Sequence, residues 1–267
     1  MITITKLEVQ KYDTNRLNVY IDKGFGEEYG FSVHKDTMIK FGLRKGLELD
    51  EVDLIEIEYG DEARKAYNKA VEYLGYKMRT EEEVREHLLK KEYDEHIVED
   101  VVNKLQKQGY INDEEYAFAF VRTQIRSNKK GPSVIRKELE GKGVHSTYIQ
   151  AALKEFSEEK QVEIAYQLAE KFQKKTERLS FIQLKQKIEE TLVRRGFSFK
   201  IIQIVFEMMP VEQSSDEEWE ALKKNAEKAM RRYDRHDDYT KKLKVKQALY
   251  RKGFSLELIE RYLEEIE

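Results

Sequence analysis

The first 60 residues carry an alternating pattern of apolar and polar side chains. The runs ITKLEVQ, RLNVYID and EYGFSVH each alternate with a period of two, which is typical of half-buried strands, and turn residues separate them. The run KDTMIKFGL predicts a short helix ended by Gly42, and DEVDLIEIEYG is compatible with a last strand or with the start of a helix. We therefore predict a small β-rich N-terminal domain over residues 1–60.

From about residue 62 onward the apolar positions follow a helical period, and the pattern repeats in four segments that align without gaps. The segments begin VREHLL, IRKELE, IEETLV and VKQALY, at Val84, Ile135, Ile188 and Val245. One column of the alignment holds Leu88, Leu139, Leu192 and Leu249. Another holds Gly143, Gly196 and Gly253 in three of the four copies, where a left-handed residue can end a helix.

Each copy follows a further amphipathic segment, so each unit has about 50 residues and three helices. We predict repeats over residues 62–112, 113–156, 157–210 and 215–267, with about twelve helices in all. Units of this kind bury their apolar faces by stacking on one another, which predicts a mainly α fold in an elongated, curved array. The alternative is a set of unrelated helical hairpins that look alike because all obey the same capping rules.

The central repeat has the clearest sequence signals for where its helices begin and end. Asn112, followed by Glu115, is typical of a capping box, and the next apolar residues are Tyr116, Phe120, Val121 and Ile125. Pro132 begins a second helix, which Gly143 ends. The pattern predicts a third helix from about Ser146 with a buried face, made of Tyr148, Ile149, Ala152, Leu153 and Phe156.

Composition agrees with a helical array. Charged residues make up 38% of the chain and apolar residues 40%, with only two prolines, a balance that favours helices with wide solvated faces. The chain has no cysteine, which excludes disulfides and cysteine-ligated zinc. The first residues alternate and carry charge instead of forming a signal peptide, and no run approaches the roughly 20 apolar residues of a spanning helix. We expect a soluble, cytoplasmic protein.

The residues give little sign of catalysis. The five histidines are scattered, without the i, i+4 pair beside a glutamate that a helical zinc site requires. Gly24, Gly26 and Gly30 have the wrong spacing for a dinucleotide loop, and no phosphate-binding loop or nucleophile elbow occurs. We therefore predict no catalytic residues, no metal site and no cofactor, and do not expect an enzyme.

Basic residues are concentrated locally although the whole chain is nearly neutral, with 49 Lys and Arg against 52 Asp and Glu. They gather in residues 122–142, 171–200 and 223–252 and recur at the end of each second helix. Cations there stabilise the helix dipole, which is one explanation. The other is a surface that binds a large acidic partner. The candidate residues are Arg122, Arg126, Lys129, Lys130, Arg136, Lys137, Lys142, Arg194, Arg195, Arg251 and Lys252.

The central run YINDEEYAFAFVRTQIRSNKKGPSVIRKELEGKGV resembles the signature of the RecX family of recombination regulators. The shared features are an acidic helix start, a helix of alanines and aromatics, an arginine, a basic loop ending in Gly-Pro, an I-R-x-E-L run and a Lys-Gly stop. The other repeats and the β-rich extension look like the longer members from Gram-positive bacteria. The resemblance therefore covers essentially the whole chain.

This resemblance implies a non-enzymatic modulator of DNA repair, recombination and the SOS response. Such a protein binds RecA and RecA–DNA filaments and usually inhibits their ATPase and strand exchange. A second hypothesis is a DNA-binding helical repeat protein that acts without RecA, because three-helix units superficially resemble helix-turn-helix geometry. No helix carries the Asn, Gln and Arg cluster of base readout, so any DNA contact should be to phosphate and independent of sequence. We expect a monomer that does not bind membranes.

Overall fold

The computed structural model describes residues 1–174, 179–209 and 215–266. Lys175, Glu177 and Arg178 of the second basic window, and the predicted end of the third repeat at residue 210, lie outside these ranges. The chain forms two compact units. The first contains residues 1–116 and 141–148, and the second contains residues 117–140 and 149–267.

A four-stranded antiparallel sheet begins the first unit, as the alternating pattern predicts. Its strands are β1 (Ile2–Val9), β2 (Arg16–Asp22), β3 (Glu27–His34) and β4 (Glu48–Leu49), in the order β3-β2-β1-β4. The side chains of Ile4, Val19, Ile21 and Val33 fill its core because they alternate onto the buried face. Helix α1 (Lys35–Lys40) follows β3.

The open choice for residues 51–60 is settled in favour of a helix. Helix α2 (Glu51–Leu74) begins at a capping box in which the side chains of Asp50 and Asp53 accept from each other's backbone amides. The predicted boundary at residues 60–62 therefore falls inside a continuous helix. Asp61 ties this helix to the sheet, because its carboxylate accepts from Arg16 Nη2 at 2.8 Å and from the His34 amide at 2.6 Å.

The predicted fold of tandem three-helix repeats is confirmed, with α2 as the first helix. The described residues from 51 onward contain twelve helices: α2, α3 (Glu81–Leu89), α4 (Glu95–Lys107), α5 (Asp113–Thr123), α6 (Pro132–Glu140), α7 (Ser146–Leu153), α8 (Glu158–Gln173), α9 (Phe181–Arg195), α10 (Phe199–Met208), α11 (Ser215–Arg232), α12 (Asp238–Tyr250) and α13 (Leu256–Glu265). A π-helical turn, Gln124–Asn128, follows α5.

The leucine column of the repeat alignment is buried in all four copies, with at most 1% of each residue exposed. One sequence prediction in the third helices is wrong, because Tyr148 is 38% exposed instead of buried. Ile149, Ala152 and Phe156 share the buried face of that segment, and Tyr148 is rotated away from Ile149 by about 100° around the helix axis. The consistently buried column is the next one along, which holds Val98, Ile149, Ile202 and Ile259.

In the first helix of the central repeat, the buried positions are Ala117 and Val121, whereas Tyr116 and Phe120 are only partly buried. Ile125 lies in the π-helical turn and is also only partly buried. The Oδ1 atom of Asn112 accepts from the Glu115 amide at 3.0 Å, which is the first half of the predicted capping box. The α-helix ends at Thr123, whose hydroxyl donates to the carbonyl of Ala119 at 2.8 Å. A threonine bonded back to its own helix in this way competes with the regular ladder, and the π-helical turn begins at the next residue.

Successive repeats are joined by one contact that recurs three times, which we call the clasp. In each clasp, a residue at the start of a second helix donates to the backbone carbonyl of a basic residue in the next repeat. That basic residue lies at the end of the second helix or two residues after it. Thr80 Oγ1 donates to the Lys142 carbonyl at 2.8 Å, and the Gly131 amide donates to the Arg195 carbonyl at 2.7 Å. The Ser180 hydroxyl donates to the Lys252 carbonyl.

The clasp explains the glycine column better than a helix stop alone. Gly143, Gly196 and Gly253 directly follow the three acceptor residues and have φ angles of 77°, 94° and 80°. A Cβ atom at Gly143 would lie 2.5 Å from Glu82 Cβ, and one at Gly196 would lie 2.7 Å from the Val134 amide nitrogen. Glycine is therefore required there both for the left-handed backbone and for the close approach of the preceding repeat.

The first repeat has Glu92 in the glycine column, at a φ of 64°. No helical repeat precedes it, so this position has no clasp to make. The exception supports the interpretation that the other three copies need glycine for the contact between repeats.

Candidate interaction surface

The eleven candidate basic residues differ in what their side chains already bind. Arg122 is engaged within the second unit: its Nε and Nη2 atoms donate to the two carboxylate oxygens of Glu155 at 2.7 and 2.6 Å. This is the paired arginine–carboxylate geometry that makes a strong charge-assisted contact. The hydrogen bonds raise the pKa of Arg122 and lower the pKa of Glu155. Arg122 thus joins α5 to the turn after α7.

Lys142 is engaged within the first unit. Its ammonium group lies 2.7 Å from a carboxylate oxygen of Glu83, and its backbone carbonyl is the acceptor of the first clasp. Burial lowers the pKa of Lys142, but the hydrogen bonds with Glu83 and Tyr116 outweigh it, so the net pKa is raised. Lys142 therefore serves the packing of the first two repeats.

Three further lysines also have partners inside the chain. Lys129 has a left-handed backbone, with φ of 49°, and its ammonium group donates to Gln167 at 2.7 Å. Lys130 lies 2.5 Å from a carboxylate oxygen of Glu138. Lys252 donates to the side-chain oxygen of Asn225 at 2.5 Å, and its carbonyl closes the third clasp. Neutralisation by Glu138 reduces the charge that Lys130 offers to a partner.

Four of the remaining cations have side chains that are partly or fully exposed and carry uncommitted charge. Among the residues that the structure describes, Arg126, Arg136, Lys137 and Arg194 form no side-chain hydrogen bond or ion pair. Arg251 donates from Nε to the Gln247 carbonyl of its own helix at 3.3 Å, which leaves its terminal nitrogens uncommitted. Arg195 contributes its carbonyl to the second clasp.

The second clasp brings two of the predicted basic windows together. Gly131 bonds to Arg195, and Ser133 bonds through its amide and its hydroxyl to the Gly196 carbonyl at 3.2 and 3.1 Å. The start of α6 therefore touches the end of α9. Since α6 has nine residues, it is about 13 Å long, so its basic residues all lie near this junction. The α6–α9 basic cluster consists of Lys129, Lys130, Arg136, Lys137, Arg194 and Arg195.

The carboxylates Glu155, Glu83 and Glu138 were missed as partners of the predicted cations. The pair between Arg122 and Glu155 spans 33 residues of sequence, and the pair between Lys142 and Glu83 spans 59. Local spacing gives no signal for such contacts. The sequence contains one signal for the position of Glu83, which is the capping box that it forms with Thr80. Because Thr80 is the donor of the first clasp, this capping box holds Glu83 beside that contact.

The described residues were searched for metal-binding groups and for membrane-spanning helices. Those residues include no group of three or more His, Cys, Asp or Glu side chains that could hold a metal ion. Within the same ranges, no helix is both long enough and apolar enough to cross a membrane.

Comparisons with known proteins agree with this architecture. The family model of the RecX regulatory protein N-terminal domain matches residues 2–50. Models of the first and second RecX three-helix domains match residues 66–105 and 112–153. The model of the third matches twice, over residues 158–206 and 216–263. The double match supports a fourth repeat built like the third.

Individual relatives are similar over nearly the whole chain. A regulatory protein RecX of Bacillus cytotoxicus is 50% identical over 99% of this chain and 98% of its own, and one of Bacillus cereus is 48% identical over the same shares. A crystal structure of regulatory protein RecX aligns with a TM-score of 0.69 at 36% identity, over 79% of this chain and 100% of that chain. The crystal structure of RecX from Lactobacillus salivarius aligns with a TM-score of 0.55 at 33% identity, over 57% of this chain and 99% of that chain.

Proposed function

The chain belongs to the RecX family of regulatory proteins, and from this premise we propose that it binds RecA and RecA–DNA filaments and inhibits their ATPase and strand exchange. The observation that carries the proposal is the α6–α9 basic cluster, which combines the family's central motif with uncommitted charge. A nucleoprotein filament is a large acidic partner because it carries the phosphates of bound DNA. The regulation we propose is non-enzymatic and needs no catalytic centre in this chain.

Within the cluster, Arg136, Lys137 and Arg194 are the residues we assign to the partner. Their side chains are free of ion pairs among the described residues, so binding would not have to break an internal contact first. Arginine can grip a carboxylate or phosphate with two parallel hydrogen bonds. We do not assign Arg122 to the partner, because its guanidinium group already donates two hydrogen bonds to the Glu155 carboxylate.

The test is ATP hydrolysis by RecA on single-stranded DNA, measured with increasing amounts of this protein. We expect inhibition by the parent protein and loss of most of it in the double variant Arg136→Glu, Arg194→Glu. The matched control is Arg44→Glu with Lys45→Glu, which reverses two exposed charges in the N-terminal domain and should inhibit like the parent. Circular dichroism of both variants should match that of the parent protein if they are folded.

Three results would count against this assignment. If the parent protein leaves RecA hydrolysis unchanged, the proposed inhibition is wrong. If the folded cluster variant inhibits fully, the contact surface lies elsewhere, with residues 223–252 the next basic window to test. Equal loss of inhibition in the cluster variant and the control would mean that inhibition depends on the net charge of the protein and not on the α6–α9 basic cluster.

The uncommitted arginines also favour a second candidate function, which is sequence-independent DNA binding without RecA. Contacts from Arg126, Arg136 and Arg194 to phosphate would hold any duplex or single strand alike. The two candidates are separated by an assay with DNA alone. Inhibition of RecA that persists where the protein shows no measurable affinity for DNA would favour the filament as the direct partner.

A further inference from the structure

A cleft of about 360 Å³ lies in the first unit, where α1, α2 and α4 meet. It is lined by residues of both the N-terminal domain and the first repeat, among them Thr37, Lys40, Tyr59, Arg64, Tyr67 and Lys104. Its volume is within the range of small-molecule sites, which is roughly 300–1,000 Å³. None of these side chains belongs to the α6–α9 basic cluster or takes part in a clasp.

The two carboxylates in the cleft are already engaged. Asp36 lies 2.5 Å from Arg64 Nη2, and Asp100 accepts from the Tyr59 hydroxyl at 2.6 Å. The bond to Asp100 and burial raise the pKa of Tyr59 to about 12, so this hydroxyl keeps its proton and continues to donate to Asp100. The acidic groups of the cleft are therefore satisfied from within the protein.

Two buried donor atoms of residues that line the cleft have no acceptor among the described residues. The Thr37 residue is only 3% exposed, and its hydroxyl has no hydrogen-bond partner among the described residues. The same is true of the buried Nε atom of Arg64. Burying such groups without a partner is unfavourable, and an arginine Nε–H can be satisfied only by an acceptor.

The ammonium groups of Lys40 and Lys104 add positive charge and form no ion pair within the described ranges. Lys104 Nζ lies 4.7 Å from the centre of the Tyr67 ring, and Arg64 Cζ lies 5.3 Å from the same ring. Lys40 Nζ lies 4.9 Å from the centre of the Phe41 ring. The aromatic rings position these cations through their electron-rich faces while leaving the N–H donors available.

We propose that this cleft binds a small phosphate-bearing molecule. Excess donors and engaged carboxylates select for an anion with several acceptor oxygens. Phosphate offers at least three such oxygens whereas a carboxylate offers two, so phosphate matches the donors of Thr37, Lys40, Arg64 and Lys104 better. The tyrosine side chains and Ala63 supply apolar surface for the organic part of the ligand.

Isothermal titration calorimetry on the full chain tests the proposal without RecA. The probes are inorganic phosphate, ATP and a short single-stranded oligonucleotide, each in the same buffer. We expect saturable binding of ATP or phosphate, weakened at least tenfold by Lys40→Gln with Lys104→Gln. The matched control is Lys45→Gln with Lys107→Gln, which removes the same charge from nearby positions outside the cleft and should bind like the parent.

A further variant, Thr37→Val, keeps the shape of the side chain and removes its hydroxyl, and we expect it to weaken binding as well. If it fails to fold, the exposed lysine pair still decides the question. No saturable heat with phosphate or ATP would overturn the proposal, as would equal affinities of the cleft variant and its control. Binding of the oligonucleotide alone, lost in the cleft variant, would instead assign the site to nucleic-acid phosphates and overturn the small-molecule proposal.

Discussion

At the scale of single residues, Glu92 is a position where the residue type does not suit the backbone conformation. Its φ of 64° lies in the left-handed region, which costs an L-residue about 1–2 kcal/mol. Glycine would remove that strain but lose about 0.5–1 kcal/mol through its greater freedom in the unfolded chain. We expect Glu92→Gly to stabilise the protein by about 0.5–1 kcal/mol in urea unfolding.

The matched comparison is Gly143→Ala at the same column of the second repeat. This change introduces both a left-handed strain and a Cβ atom 2.5 Å from Glu82 Cβ, so it should be clearly destabilising. Destabilisation by Glu92→Gly would show that the glutamate side chain contributes a contact that outweighs its backbone strain.

Asp61 is the residue whose charge matters most for pH dependence. Burial raises its pKa, but hydrogen bonds from Arg16, His34 and Lys65 outweigh burial, so the pKa of the folded state lies below the usual 3.8. A lowered carboxyl pKa contributes stability that is present above the unfolded pKa and is lost as pH falls through the folded pKa.

Replacing Asp61 by Asn leaves Arg16 without its charged partner in a mostly buried setting, with side-chain exposures of 16% and 5% for the pair. We expect a loss of about 3 kcal/mol at pH 7. The difference from the parent should begin to shrink once pH falls below 3.8, because the unfolded parent then binds a proton that its folded state does not yet bind. It should be smallest below the folded pKa, where both proteins lack the carboxylate charge. A difference that stays constant down to the lowest pH at which both proteins fold would contradict this origin.

At the scale of elements, the repeating pattern predicted the fold well. The strands of the N-terminal domain, the number of helices and the buried leucine column all follow from periodicity, which is a local property of the chain. The clasp does not, because its donors and acceptors are about 62–72 residues apart and no spacing rule links them. The π-helical turn was also missed, since the apolar pattern continues through Ile125 while Thr123 disturbs the helix.

Leu139 lies in the last turn of α6, the second helix of the second repeat, and is fully buried. Truncating it to Ala removes buried methyl groups and leaves a cavity, so we expect a cost of about 2–5 kcal/mol. Chemical denaturation of the full chain measures this, with Leu89→Ala as the exposed counterpart in the first repeat. If Leu139→Ala and Leu89→Ala both lower the free energy of unfolding by the same small amount, the residues around position 139 must move in to fill the cavity.

Ser180 tests the clasp itself. Its hydroxyl both accepts from the Gln183 amide as an N-cap and donates to the Lys252 carbonyl, whereas the Ser198 hydroxyl caps only its own helix by accepting from the Ile201 amide. Ser→Ala at an N-cap costs about 1 kcal/mol, and loss of a buried acceptor's partner costs about 1–3 kcal/mol more. We expect Ser180→Ala to be more destabilising than Ser198→Ala by at least about 1 kcal/mol. Equal effects would mean that the clasp bond adds little to stability.

At the scale of the whole molecule, the sequence located the basic windows but could not rank the residues in them. Which cations are free depends on carboxylates distant in the chain, as Arg122 with Glu155 and Lys142 with Glu83 illustrate. Three members of the repeated basic column provide the clasp carbonyls, which is a structural role distinct from both the helix dipole and a binding surface. The α6–α9 basic cluster could not be predicted, because its two parts lie in separate basic windows that the second clasp brings together.

Net charge sets an expectation for DNA binding. The whole chain carries a formal charge of −3, so binding to DNA would depend on local clusters and should weaken steeply with salt as condensed counterions return to the phosphates. Fluorescence anisotropy with labelled DNA at several salt concentrations measures the slope. The slope should become shallower in the variant Arg136→Glu, Arg194→Glu, and different DNA sequences should give the same affinity. A flat salt dependence, or strong preference for one sequence, would contradict phosphate contacts as the source of binding.

The clasp also bears on how such a chain can evolve. Each boundary between helical repeats uses the same pair of groups, a helix start on one side and a carbonyl followed by glycine on the other. An in-frame duplication or deletion of one whole unit would therefore recreate a working boundary without any new compensating mutation. We therefore expect the length of such a gene to change in steps of about 50 codons, one whole repeat at a time, because only a whole unit keeps both halves of the clasp.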